Sequence, residues 1–147
     1  MGIGDRGIGG TGIRGCGLGH TTCCTRAMSS IRSYRDLEVW QISMDVVERC
    51  YALTRRLPRN EQFNLCDQIR RSAVSIPANI AEGHRRTRKS YLHHLTIALG
   101  SHAELETSLE ITQRIGLLTE QTLKDVRPPI DSVGRMLHGL IRSLEQE

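Results

Sequence analysis

Arg88 and His93 come nearest to catalytic chemistry in type and spacing: a guanidinium to polarise a scissile phosphate, four intervening residues, and an imidazole to move a proton. The neighbourhood offers a plainer reading, since Arg85, Arg86 and Lys89 make the whole connection basic and His94 follows at once. Other constellations fail on context. Cys16, His20, Cys23 and Cys24 are zinc-ligand types, but adjacent cysteines in a glycine-rich stretch are not the paired Cys-x-x-Cys knuckle of a structural site. Gly2-Ile3-Gly4-Asp5-Arg6-Gly7 has the letters of a dinucleotide-binding loop without the strand before it or the βαβ unit after it. A di-iron bundle needs Glu-x-x-His on two helices, and the sequence has no Glu-x-x-His. His102 and Glu106, four residues apart, read as a polar contact or a solvated face. No catalytic residue, metal or cofactor is expected, and the chain reads as a non-enzyme.

Clustered arginine is the stronger signal. Arg55, Arg56 and Arg59 are expected at the end of a first helix, Arg70 and Arg71 on a second, and Arg85, Arg86, Arg88 and Lys89 in the connection that follows. In an antiparallel bundle the ends of the first and second helices lie at opposite poles, so these groups need not merge into one patch. A ring of subunits would repeat each cluster around its axis, and multivalent arginine suits a phosphate backbone. The competing reading makes them solvated helix ends and intersubunit ion pairs. The net charge of +4 is unevenly placed: Met28 to Lys89 holds twelve basic and seven acidic residues, Ser90 to Glu147 five and eight. That polarity suits an RNA surface, or head-to-tail contact between subunits.

The elements that must position these residues are helical, and 147 residues suit one domain. Residues 1–27 hold nine of the fourteen glycines and are expected to be a disordered tail, with Met28 as the working start and 28–147 as the folded domain. Five cysteines, an odd number, with no secretory leader and no run of apolar residues long enough to cross a bilayer, point to the cytoplasm.

From Asp36 to Leu57 two apolar stripes run along one helix, Leu37, Trp40, Met44, Val47 and Tyr51 beside Val39, Ile42, Val46, Cys50 and Leu53. A monomeric surface helix needs one stripe, so two predict burial on both sides and hence oligomerisation. A second helix is expected from Glu61 to about Gly83, with Gly83 as its C-cap. A third is expected from about Ser90 to Ile115, where Gly100-Ser101 lets another backbone approach and Gly116 ends the helix. A fourth follows Thr119 as N-cap, interrupted near Pro128-Pro129 and regular from about Pro129 to Leu144. Four helices with short connections predict an all-α, antiparallel up-down-up-down bundle.

The stretch Ser75 to Gly83 organises the rest. Pro77 sits inside a helical pattern where its missing N–H and its ring demand compensation from tertiary contacts. Ser72, Ser75, Asn79 and Glu82 share one side at three- and four-residue spacing, while Ile69, Ala73, Ile76 and Ile80 share another. Such a helix suits a bundle interior, where polar groups satisfy one another.

With these motifs in hand, the chain resembles the four-helix-bundle family of 23S rRNA intervening-sequence proteins, in a superfamily with the accessory variability determinant of diversity-generating retroelements. The resemblance runs from Ser33 to about Leu144 and rests on Tyr34 to Trp40, Leu57-Pro58 with Glu61, Gln68 to Arg71, Ser75 to Gly83, Gly100 to Glu106 and Met136 to Ile141. It implies a homopentamer of antiparallel four-helix bundles, with Trp40, Ser75, Pro77, Asn79, Glu82, Gly83, Gly100 and Ser101 as signature and packing residues. For the retroelement branch it implies binding to nucleic acid and a reverse transcriptase, from which this chain departs in being only weakly basic. The Arg-x4-His pair is similar to that of HEPN-type ribonucleases, though the usual Asn or Asp near the arginine is missing. The expected function is a non-enzymatic homo-oligomer contacting RNA or a ribonucleoprotein through clustered arginines. A protein-binding scaffold and an Arg88/His93 ribonuclease are the alternatives.

Overall fold

The computed structural model describes residues 32–146, apart from the side chains at 61–63. The glycine-rich stretch 1–27, the expected start at Met28 and the Cys16, His20, Cys23, Cys24 group lie outside the described residues. Among the described residues every regular element is helical: α1 Glu38–Thr54, α2 Asp67–His84, α3 Arg88–Arg114, α4 Glu120–Leu123 and α5 Arg127–Gln146.

Ser33 caps the first helical turn described. Its hydroxyl accepts from the Arg35 N–H and the Asp36 carboxylate accepts from the Arg32 and Ser33 N–H groups, winding Tyr34–Asp36 into a tight 3-10 turn. α1 then buries Val39, Val46, Cys50 and Leu53, one of its two apolar stripes. On the other, Met44 and Tyr51 remain 37% and 40% exposed, with Trp40 and Val47 partly buried.

α1 packs on α2, α2 on α3, α3 on α5 and α5 on α1, so four helices close around one core. Ile69, Ile76, Ile80, Leu95, Leu105, Leu123, Val133 and Leu137 are fully buried in it. The contact between α2 and α3 is the most extensive.

Several boundaries differ from expectation. The chain reaches α2 through a 3-10 turn at Arg59–Glu61 and a π turn at Gln62–Cys66, so the α-helix begins at Asp67 rather than Glu61. The Cys66 thiol lies 3.6 Å from the Thr54 carbonyl, tying this turn to the last turn of α1. Past Pro77, α2 continues unbroken to His84, because Pro77 is buried among Ile76, Ile80 and Ala73 and packing holds the helix together. Gly83 is not a C-cap. It lies inside α2, and a Cβ there would stand 2.7 Å from Tyr91 Cδ2 and 2.8 Å from His94 Cβ, so it serves close approach to α3.

Gly100 is the converse correction: a Cβ there meets nothing within 4 Å, so its missing side chain makes room for no neighbour. Gly116 does end α3, with a φ of 76° that favours glycine. The fourth helical region is two helices. Thr119 accepts from the Thr122 N–H to cap short α4, and α5 starts afresh at Arg127. Pro128 and Pro129 sit in the first turn of α5, where their missing N–H groups leave no helical bond unmade.

Candidate nucleic-acid interface

The polar face of α2 finds its partners on α3. Asn79 donates to the Ser75 carbonyl at 2.9 Å and the Ser75 hydroxyl at 3.1 Å, the Ser75 and Ser101 hydroxyls are 2.8 Å apart, and Ser101 donates to the Ile97 carbonyl at 3.0 Å. With Asn79 donating into Ser75, one direction along this chain of bonds gives each hydroxyl both a donor and an acceptor. His94 Nδ1 lies 3.2 Å from Asn79 Oδ1, and its Nε2 is 3.8 Å from Glu82, which holds Arg86 at 2.6 Å. The pairs Ser75 with Ser101 and Asn79 with His94 occur in opposite order along the two helices. Below this line the Tyr91 hydroxyl is buried without a partner, and burial pushes its pKa up to about 12.

This seam fixes the geometry at both ends of α2. At its start, Arg70 donates to the Thr54 hydroxyl at 2.9 Å and lies 5.2 Å from the Tyr51 ring centroid, while Arg71 pairs with Asp67 at 3.4 Å. Arg55 and Arg56, at the end of α1, belong to the same end and make no ion pair among the described residues. Arg56 and Arg49 line a small cleft of about 140 Å³ with Thr122 and Asp125, where Arg49 donates to the Asp125 carbonyl. Arg59 is exposed in the following turn.

At the other end, α2 gives way to α3, and the arginines meet aromatic rings. The Arg85 guanidinium lies 5.6 Å from the Tyr34 centroid; Arg35 lies 5.6 Å from Tyr34 and 5.9 Å from Trp40. Tyr34 and Trp40 meet edge to face at 5.3 Å. Arg35, Arg85 and Lys89 make no ion pair among the described residues. Arg86 is held by Glu82, and the Arg88 guanidinium donates to the Leu144 carbonyl through both Nε and Nη2, closing the last turn of α5. Spacing along the chain does not join Tyr34 and Arg35 to the basic group. Nothing local could have put them there, because Arg85 is fifty-one residues from Tyr34 and only the bundle brings them together.

The nine expected contact residues therefore divide into two ends. Arg55, Arg56, Arg59, Arg70 and Arg71 lie at one, and Arg85, Arg86, Arg88 and Lys89 at the other, separated by the length of α2, about 27 Å for its eighteen residues. Arg88 and His93 are not brought together. Arg88 is engaged by α5, while exposed His93 has its ring 5.9 Å from that of His94. His102 and Glu106 make the expected polar contact, with Nδ1 facing Glu106 at 3.3 Å, and the ring is buried rather than solvated: Nε2 lies 2.8 Å from the Ile130 carbonyl, and the ring fills the notch at Gly134. Burial pushes the Cys50 thiol up to about 12, which suits a core residue. Among the described residues no group of three or more His, Cys, Asp or Glu could hold a metal, and no helix is long and apolar enough to cross a membrane.

Fold and site together define an all-helical bundle protein with arginine displayed at two ends. The chain belongs to the 23S rRNA-intervening sequence protein family, whose model matches residues 35–139. It is similar to the solved structure of a protein of unknown function from the S23 ribosomal protein family of Bacteroides thetaiotaomicron VPI-5482. The two are 28% identical with a TM-score of 0.65, over 70% of this chain and 97% of the other. No curated protein matches the sequence.

Proposed function

We propose that the protein is a non-enzymatic homo-oligomer of antiparallel up-down-up-down bundles, a homopentamer in the cytoplasm, that contacts RNA or a ribonucleoprotein through its arginine-bearing ends. The observation that carries this reading is the set of cations without ion-pair partners among the described residues: Arg55 and Arg56 at one end, Arg85 and Lys89 at the other. Arginines whose role was only to bridge within the fold would resemble Arg71 with Asp67 or Arg86 with Glu82. The family's description names an rRNA element, which agrees in class with such a partner. Oligomerisation is supported by the second α1 stripe, where Met44 and Tyr51 stay more than a third exposed.

A scaffold that binds protein, including a reverse transcriptase, is the second reading. It is favoured by exposed Val74 on α2 and Ile97 on α3, at 41% and 39%. The deciding experiment measures RNA binding by the full chain across a salt series, with the oligomer mass determined in the same buffers. Affinity falling log-linearly with salt at constant mass is expected for phosphate contacts. No binding at low salt overturns the RNA reading in favour of the scaffold.

A further inference from the structure

We infer that the Tyr34, Arg35, Trp40 and Arg85 cluster is a recognition site for an unpaired nucleotide of single-stranded RNA, an inference that rests on the RNA reading above. Cationic helix ends need only exposed side chains, but this cluster is assembled from two segments far apart in sequence. Tyr34 and Arg35 come from the turn before α1, Trp40 from its first turn, and Arg85 from the end of α2. Both guanidiniums lie 5.6 Å from the centroid of one tyrosine ring, which places their central carbons no more than about 11 Å apart on ring contacts that cost neither its donors. No carboxylate pairs with either among the described residues. Asp36, the nearest acid in sequence, accepts from the Arg32 and Ser33 N–H groups instead.

Two like charges brought to one ring without a counterion await an anion. A planar guanidinium offers an RNA strand two things: forked donors for a phosphate and a flat face on which a base stacks. Duplex RNA presents its phosphates but keeps its bases stacked within the helix, so only an unpaired nucleotide uses both. The scaffold behind the cluster is fixed. Gly83 brings α2 against Tyr91 and His94 of α3, and the Ser33 and Asp36 capping contacts hold the turn that carries Tyr34. Among the described residues the other basic end supplies no equivalent pair: the ring contact there joins Arg70 to Tyr51, and Arg70 already donates to Thr54.

Trp40 is the chain's single tryptophan and touches both Tyr34 and Arg35, so its emission reports on this site alone. The full chain is titrated with a single-stranded, unpaired oligoadenylate and with an RNA duplex of equal length, following binding by mobility and by Trp40 emission. Tighter binding of the single strand by about tenfold, with a saturable change in emission, is expected from one stacked base. Arg35→Lys combined with Arg85→Lys keeps both charges but not the planar faces; it should lose the preference while the salt slope stays the same. Equal or tighter duplex binding, an unchanged emission on binding, or a lysine variant that keeps the full preference overturns this inference and leaves RNA binding by the bundle standing. No binding of either RNA overturns the functional reading beneath it.

Discussion

At the start of α2, Arg70 and Arg71 are engaged by Thr54, Tyr51 and Asp67; at its end, Arg85 lies over Tyr34 and pairs with no carboxylate among the described residues. The two ends hold the same residue type in similar density, and the sequence alone treats them as equivalent. What differs is the backbone beneath. The Arg85 end is built on the closest helix approach recorded by any glycine of α2 or α3, where Gly83 admits Tyr91 and His94, and on a line of neutral hydrogen bonds through Asn79, Ser75 and Ser101. The Arg70 end follows a π turn and a loop, and Arg70 itself ties the start of α2 to the last residue of α1. Arginine that performs a structural task has fewer donors for a ligand; arginine on a fixed aromatic support keeps them.

The largest effect should come from Gly83→Ala. Its Cβ would collide with the Tyr91 ring and with His94 Cβ, and overpacking of this kind costs about 1–3 kcal/mol. Thermal unfolding should shift down by roughly 3–5 °C for each kcal/mol in a domain of this size. An unchanged melting temperature would break the comparison, because the Arg85 end would then not depend on close approach. Next in size is Asn79→Ala, which removes the acceptor of His94 Nδ1 and two donors to Ser75, at about 1–2 kcal/mol for partly buried partners. Arg70→Ala at the other end loses one hydrogen bond and one exposed ring contact, so chemical denaturation should register about 1 kcal/mol. Reversal of that order would show that the Arg70 end is the more tightly built.

Gly100→Ala should act in the opposite direction from Gly83→Ala. With open space around its Cβ in an exposed helix interior, alanine raises helix propensity and should stabilise by up to about 1 kcal/mol, seen as a higher melting temperature. The contrast also shows where the sequence was legible. Spacing alone placed Ser75, Asn79 and Glu82 on one side of α2, since helical periodicity is local, and the same logic found the Thr119 cap, the Gly116 terminus and the interruption before Pro128. Periodicity does not say which helix lies opposite. Gly83 and Gly100 look alike in the sequence, yet only Gly83 faces a neighbour; Tyr34 joins Arg85, and His102 fills the notch at Gly134, through packing that no local spacing encodes.

The smallest effect is a pH dependence confined to the end of α3 that lies beside α5. Glu110 is held below the usual carboxylate range first by its hydrogen bond from Arg114, then by that from Arg127 at the start of α5. A lowered folded pKa means that the folded state binds the proton less readily than the unfolded chain. The contribution is therefore complete above the ordinary value of 4.5 and is lost as pH falls below it, through the lowered folded value. The carboxylate is exposed enough for solvent and salt to screen it, so the change should be small and should shrink further at high ionic strength. Asn79, Ser75 and Ser101, on the seam between α2 and α3, do not titrate in this range, and their contribution stays level as Glu110 is protonated. Melting curves of the native chain and of Glu110→Gln should converge on acidification below 4.5 and separate slightly at neutral pH, with the native chain the more stable. A difference that is constant with pH would show that Glu110 acts through packing or shape, and that Arg127 is positioned by its 2.5 Å contact with Gln113 instead.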